Sequence, residues 1–307
     1  MKKKNSFLHE FKRKRVLFFM LLPAAVFFII NSYIPMIGVY YAFTRFNFQG
    51  GLFGSPFIGM ENFRFLFESG KLTSLTINTV GYNIAFIAVS NILQIFFAIL
   101  LSQIAGRLFK KVSQSIIFLP YFVSYVVLNA VVYSIFNFDT GYLNTFLTSI
   151  GIEKFDAYGT PWVWRILMVV FYLWKNLGYG TVVYLAAITG INQEYYEAAR
   201  IDGANITKQI TRITIPLLAP TFIILLLFAL GGIMRGQFDL FYQVIRNNGL
   251  LFDATDILDT YVYRSLKQNF DIGMGTAAGL YQSIVGLIII LSTNFIIKKK
   301  QPDYALF

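Results

Sequence analysis

The 307-residue chain contains no cysteine. Disulfides, Cys-ligated zinc, iron–sulfur centres and thiolate nucleophiles are therefore excluded. Histidine is nearly absent too. The single one, His9, sits in a basic N-terminal stretch, which removes His-based metal sites and Ser-His triads. No G-x-x-x-x-G-K-[ST] string occurs, so the chain has no P-loop of its own, and any energy coupling to ATP has to come from a partner. Charge is scarce as well: 13% of residues are Asp, Glu, Lys or Arg, about half the share of an ordinary soluble domain.

Apolar residues fill the space. They make up 56% of the chain, with 33 phenylalanines, which rules out disorder and argues against a soluble globule. Six apolar runs stand out, at residues 16–43, 75–105, 112–136, 163–189, 213–234 and 276–297. Each is long enough for the ~30 Å hydrocarbon core of a bilayer, which needs about 20 residues. Seven cations precede the first run. A signal peptide starts the same way, but its apolar stretch is only ~7–15 residues. This run is longer, lacks an A-x-A-like site and carries Pro23 and Pro35; it reads as an uncleaved helix kinked at Pro35. The expected fold is an all-α polytopic membrane protein of six transmembrane helices. A basic segment at 1–15, a transmembrane domain at 16–297 with a loop at about 190–212, and a tail at 298–307 complete the organisation.

The net charge of +11 sorts by side. The four segments on the side of the termini hold 16 cations and 5 anions, and the three opposite loops hold 7 cations and 10 anions. Lys and Arg concentrate on cytoplasmic loops, so both termini are expected in the cytoplasm. The excess charge is thus an orientation signal facing anionic lipid headgroups, and no nucleic-acid partner is expected. On the outer side, Phe57, Phe63, Leu66 and Phe67 are placed to form one face of a short interfacial helix. Asp239, Asp253, Asp256, Asp259 and Asp271 are placed to meet a partner there, with ordinary solvated loop residues as the even alternative.

Between the fourth and fifth runs the chain reads N-Q-E-Y-Y-E-A-A-R-I-D-G-A-N-I-T-K-Q-I-T-R-I-T-I-P from Asn192. Residues 194–199 form helix readily, with acids in the first turn where the macrodipole favours them. Asp202-Gly203 then ends the helix, glycine being the usual left-handed terminus. Tyr195, Tyr196, Ala199 and Ile201 give it an apolar side too small to bury a core, which suits insertion into a cleft of another protein.

Glu197-Ala198-Ala199, three residues, Gly203, nine residues, then Ile213-Thr214-Ile215-Pro216 resembles the E-A-A-x3-G-x9-I-x-L-P loop of binding-protein-dependent ABC importer permeases. Ile215 replaces the usual leucine, a volume-conserving exchange. F-I-G-M-E-N-F from Phe57, L-W-K-N-L-G-Y from Leu173 and D-T-Y-V-Y-R from Asp259 look most like the oligosaccharide branch of the maltose-type carbohydrate permeases. That resemblance implies a type I importer permease fold in the bacterial cytoplasmic membrane. It implies a second, related permease as heterodimer partner, two ATP-binding subunits holding ATP and Mg, and an extracytoplasmic binding protein that delivers the carbohydrate. The chain itself would bind no cofactor and catalyse nothing. Glu197, Ala198, Ala199, Asp202, Gly203, Ile213 and Pro216 would couple it to the ATPase.

Charges inside the spans are the remaining anomaly. Lys175, in the fourth run, carries an insertion cost of ~2.5–3.5 kcal/mol and should face the bundle or a water-filled cavity. It sits amid Trp174, Asn176 and Tyr179. Sugars pack their C–H faces on aromatic rings, and Trp174 and Tyr179 match the W-x4-Y spacing that lines the sugar site in maltose-type permeases; a plain core pair is the alternative. Arg235, inside G-G-I-M-R-G-Q, reads either as a sugar ligand or as a side chain snorkelling outward or pairing with Asp239. If Lys175 and Arg235 both line the path, the cargo is acidic or highly hydroxylated. Asn83, Asn91, Gln94, Asn129, Gln282 and Asn294 are expected to bond between helices. An ion-coupled secondary transporter is the first competing class, but it would want an acid within the spans, and none lies there. An integral membrane glycan-modifying enzyme would want paired carboxylates, for which only the outer aspartates qualify.

Overall fold

The computed structural model describes residues 14–300. His9, the cations up to Arg13, and the tail from 301 with Asp303 lie outside the described residues. Among the described residues the regular structure is all helical, joined by turns and loops, apart from one isolated bridge between Thr44 and Phe57.

Five helices are long and apolar enough to cross a membrane: α1 (Arg15–Phe43), α3 (Lys71–Gln103), α7 (Pro161–Thr189), α9 (Ile206–Gly231) and the last, α12 (Ile272–Lys300). The short α2 (Glu61–Glu68) lies between the first two. The sixth crossing is a bent pair, α4 (Arg107–Phe122) and α5 (Tyr125–Phe136), meeting at 92°. The helices α6 (Tyr142–Ser149), α8 (Glu194–Ile201), α10 (Phe238–Ile245) and α11 (Leu258–Lys267) occupy the connections.

The third run was read as a single span, and the structure shows a break within it. Pro120 opens a tight turn at Leu119–Phe122, and Ser124 then caps α5 by accepting from the Val127 N–H at 3.3 Å. A proline followed by an N-cap serine is a stop and a restart in the middle of an apolar run. The fifth span also differs, because its helix starts at Ile206, seven residues before the first residue of the expected run.

Both wide turns in the bundle precede a proline. A π-helical turn at Ile29–Tyr33 leads to Pro35, and another at Ile210–Thr214 leads to Pro216. In an α-helix the proline ring clashes with the carbonyl four residues earlier, here that of Asn31 or Arg212. Widening the turn at that carbonyl relieves the clash without ending the helix. The bend expected at Pro35 is therefore absorbed over a whole turn.

Three apolar clusters lie along the bundle. Tyr82, Phe86, Trp164, Met168 and Phe241 centre the first; Phe63, Leu66, Leu72, Leu75, Met234 and Leu258 the second; Ala98, Leu101, Tyr184, Leu185, Ile188 and Leu218 the third. The α3–α7 pair runs through the first and third. Phe63 and Leu66 turn the expected interfacial helix inward, while Phe57 and Phe67 stay exposed and share no face with them. That short helix rests on its own bundle. Asp256 is likewise no docking residue: it is buried, with Arg264 at 2.6 Å and Lys71 at 3.1 Å.

Candidate functional site

The loop between α7 and α9 carries α8, in which no residue is buried. Glu194 and Glu197 occupy its first turn and Arg200 its last, each favourable to the helix dipole. Gly203 follows at φ +74°, and the Gly203 and Ala204 N–H groups return to the carbonyls of Arg200 and Ala199 at 3.0 and 2.8 Å. This is the left-handed helix end expected of the sequence. A side chain at Gly203 would meet no atom within 4 Å, so the requirement for glycine there is conformational alone.

The face of α8 splits in two. Tyr196 and Ala199 turn toward the bundle, whereas Tyr195 and Ile201 point away, Ile201 being 88% exposed. Glu197, Ala198, Asp202 and Gly203 are exposed with them. The Tyr196 hydroxyl lies 3.0 Å from Thr214 Oγ1, in the π turn at the root of α9. Half-buried Ile213 belongs to the same turn, and exposed Pro216 follows it. Sequence reading placed Tyr196 on the apolar side of α8 but missed its bond to Thr214, which sits eighteen residues away.

Lys175 is buried, at 9% exposure, and its ammonium is spoken for. It donates to the carbonyl oxygens of Tyr121, at 2.7 Å, and of Val123, both at the break between α4 and α5. The rings of Tyr121 and Tyr125 lie 5.7 and 5.0 Å from Nζ, within cation–π range. A broken helix inside a membrane leaves carbonyls without donors, and a membrane lysine lacks acceptors; each supplies the other. Tyr179, one turn further along α7, stacks on Tyr121 at 5.3 Å, and Phe118 stacks on the same Tyr121 ring at 5.5 Å. Trp174 does not join them. It is half-exposed and lies about 140° around the helix from Tyr179. Asn176 bonds its own helix at Tyr172, and its carbonyl accepts from Gln94.

Arg235 belongs to a different helix pair. It is exposed beside a cleft of about 530 Å³ between the end of α9 and α12, with Asp259, Gln282 and Ser283 in its lining. The bend at Gly231–Gly236 is held by side chains. Asn83 donates to the carbonyls of Ile233 and Arg235 at 2.9 and 3.0 Å, and Gln282 to that of Met234 at 2.7 Å. Asp259 accepts from the Gly236 N–H at 2.6 Å and from Gln282 at 3.1 Å. Burial pushes the Asp259 carboxyl above the ordinary carboxylate range, and these hydrogen bonds and the Arg235 charge pull it back in part. Arg235 thus shares its cleft with Asp259, where sequence reading had weighed Asp239. The bonds expected between helices are present for Asn83, Asn91, Gln94 and Gln282. Asn129 leaves its carbonyl oxygen without a partner.

Five helices long and apolar enough to cross a membrane, a bent apolar pair beside them, and an exposed amphipathic helix between α7 and α9 are the build of a membrane subunit of a transport system. The chain belongs to the family described as "Binding-protein-dependent transport system inner membrane component", which matches residues 94–301. Protein LplB of Bacillus subtilis (strain 168) is 31% identical over 96% of this chain and 92% of that protein. The polygalacturonan/rhamnogalacturonan transport system permease protein YteP of the same organism is 30% identical over 97% of this chain and 92% of its own. A crystal structure of a bacterial ABC transporter involved in the import of the acidic polysaccharide alginate superposes with a TM-score of 0.85 at 31% identity, covering 95% of this chain and 98% of that one. A second, of an alginate ABC transporter in complex with an alginate pentasaccharide-bound periplasmic protein, gives 0.86 at 29% identity over 98% and 99%.

Proposed function

We propose that this chain is a permease subunit of an ATP-driven importer of acidic oligosaccharides, forming half of the translocation path in the cytoplasmic membrane. The α8 end faces the cytoplasm in this reading, and both termini lie there. A second, related permease completes the path, an ATPase subunit docks on each, and an extracytoplasmic binding protein delivers the sugar. The observation that carries the reading is α8 itself. It is a helix with no buried residue, small side chains at its centre and a fixed left-handed exit, standing free at one end of the bundle. Glu197, Ala198, Asp202 and Gly203 form its docking side, Ala199 lets the helix sit close to the bundle behind them, and Ile213 and Pro216 form its root.

Arg235 supports the acidic cargo. It is an exposed guanidinium beside a polar cleft large enough for a sugar unit, and guanidinium pairs with carboxylate bidentately. The likeness to alginate and polygalacturonan transport components points the same way. The test is purification of the importer from cells together with uptake of radiolabelled alginate and galacturonate trisaccharides. The wild-type complex retains its ATPase and takes up at least one of them, whereas Glu197→Lys combined with Gly203→Asp loses the ATPase. An ATPase that still co-purifies with the double variant would sink the coupling assignment.

A further inference from the structure

Among the described residues Lys175 is the one buried cation, and the structure gives its charge to main-chain carbonyls rather than to an open cavity. One of those carbonyls belongs to Tyr121, whose ring lies between Phe118 and Tyr179 in near-parallel stacks, each inclined by 18°. The three rings form a continuous apolar shelf, with Tyr121 38% and Tyr179 52% exposed. The shelf joins two helices, because Phe118 and Tyr121 come from α4 and Tyr179 from α7. Its assembly therefore depends on how closely α4 sits on α7.

Two contacts set that approach. Gly178 packs directly on the α4 main chain: a Cβ there would lie 2.4 Å from the Ile117 carbonyl oxygen and 2.5 Å from the Phe118 Cα. One turn before, on the Tyr179 side of the helix, Lys175 ties down the freed end of α4. Below the break no ladder bond fixes the Tyr121 and Val123 carbonyls, so without the ammonium they have no donor and the segment 119–123 is released from α7.

We propose that Lys175 is a positioning residue for the carbohydrate path. It holds the Tyr121 and Val123 carbonyls so that the Phe118–Tyr121–Tyr179 shelf stays assembled, and the apolar face of a sugar ring rests on that shelf. Sugar C–H faces stack on aromatic rings, so the exposed parts of the Tyr121 and Tyr179 rings offer that contact, while Arg235 on another helix pair reads the carboxylate. The inference rests on the proposed carbohydrate cargo. It removes Lys175 from direct contact with the sugar.

Two measurements on the assembled importer test it. The chain is free of cysteine, so Tyr121→Cys with Tyr179→Cys is a clean reporter of α4–α7 register, and its cross-linking by a short thiol reagent needs no sugar. Adding Lys175→Met lowers the cross-linking yield several-fold; an unchanged yield overturns the proposal. In the second, uptake of alginate and galacturonate trisaccharides is followed over concentration. Lys175→Met and Tyr121→Leu each raise KM about tenfold at a nearly constant maximal rate. Tyr121→Phe, which keeps the ring and the carbonyl, behaves as wild type. Lys175→Met adds little in the Tyr121→Leu background, because the two act as one unit. Additive effects, or a wild-type KM in Tyr121→Leu, overturn the proposal. The Tyr121 pair decides the matter even where Lys175→Met fails to accumulate. A wild-type importer that takes up neither sugar defeats the cargo reading instead, and the cross-linking still reports on Lys175.

Discussion

At the scale of single residues, the charged and glycine positions divide into two kinds, those that act on a ligand and those that shape the chain. Arg235 is of the first kind. Arg235→Gln keeps hydrogen-bond donors but removes the charge, so uptake of an acidic trisaccharide should lose about tenfold in KM while a reduced, neutral analogue is transported as by wild type. Equal losses for both sugars would make Arg235 structural. Gly203 is of the second kind. At φ +74° any other residue is strained, by about 1–2 kcal/mol for the left-handed conformation. Gly203→Asp also adds a second carboxylate beside Asp202. The variant is expected to reach the membrane in normal amount while its ATP hydrolysis no longer drives uptake, as read from the ratio of ATP turnover to sugar accumulated. Lys175 shows where residue-level reading reached its limit. Its cost in the membrane was plain from position alone, and that it faces the bundle followed. What satisfies it was not, because the acceptors are main-chain atoms more than fifty residues away.

At the scale of elements, helices were legible and their interruptions were not. The length of the apolar runs locates the spans, but a run such as I-I-F-L-P-Y-F-V-S-Y-V-V is apolar on both sides of its break. Hydropathy averages across such a break; only Pro120 and Ser124 mark it, and a proline alone is tolerated in membrane helices. The inward rotation of α2 escaped for a related reason, since one apolar face suits a bilayer surface and a protein surface equally. The extent of α8 was read correctly because its signals are local: acids at the start, glycine at the end. Its tether was not local. Tyr196→Phe removes the bond to Thr214, worth about 1 kcal/mol, and should leave expression intact. Faster amide exchange over 194–201 and a few-fold lower uptake would follow. Unchanged exchange would show that the contact carries no load.

At the scale of the whole molecule, the two ends of the bundle are built from different materials. One end is laced by side chains that reach across to main-chain atoms. Asn78 binds the carbonyls of Asp253 and Asp256, Thr79 accepts from the Leu258 N–H, and Tyr82 donates to Ala254. The buried Asp256, held by Arg264 and Lys71, closes that net. Asp256→Ala leaves two cations facing a buried gap and should cost about 3 kcal/mol or more, visible as a large drop in thermal stability of the purified protein. Asp256→Glu, by contrast, retains a charge and should recover part of it. None of this net was apparent beforehand, since the outer aspartates looked alike in sequence and only folding separates the buried Asp256 from the exposed Asp239, Asp253 and Asp271.

The other end, beside α8, is joined more by aliphatic surfaces, those of Ala98, Leu101, Leu185, Ile188 and Leu218, with fewer directed bonds among them, such as that from the Tyr184 hydroxyl to Asn91 at 2.6 Å. Smooth apolar contacts slide at little cost, whereas a lacework of directed bonds does not. The molecule is therefore built like a pair of tongs, riveted at the laced end and freer to spread at the end that carries α8. A displacement of α8 would swing the spans about the rivet, so the widest travel falls at the α8 end and the smallest at the laced one.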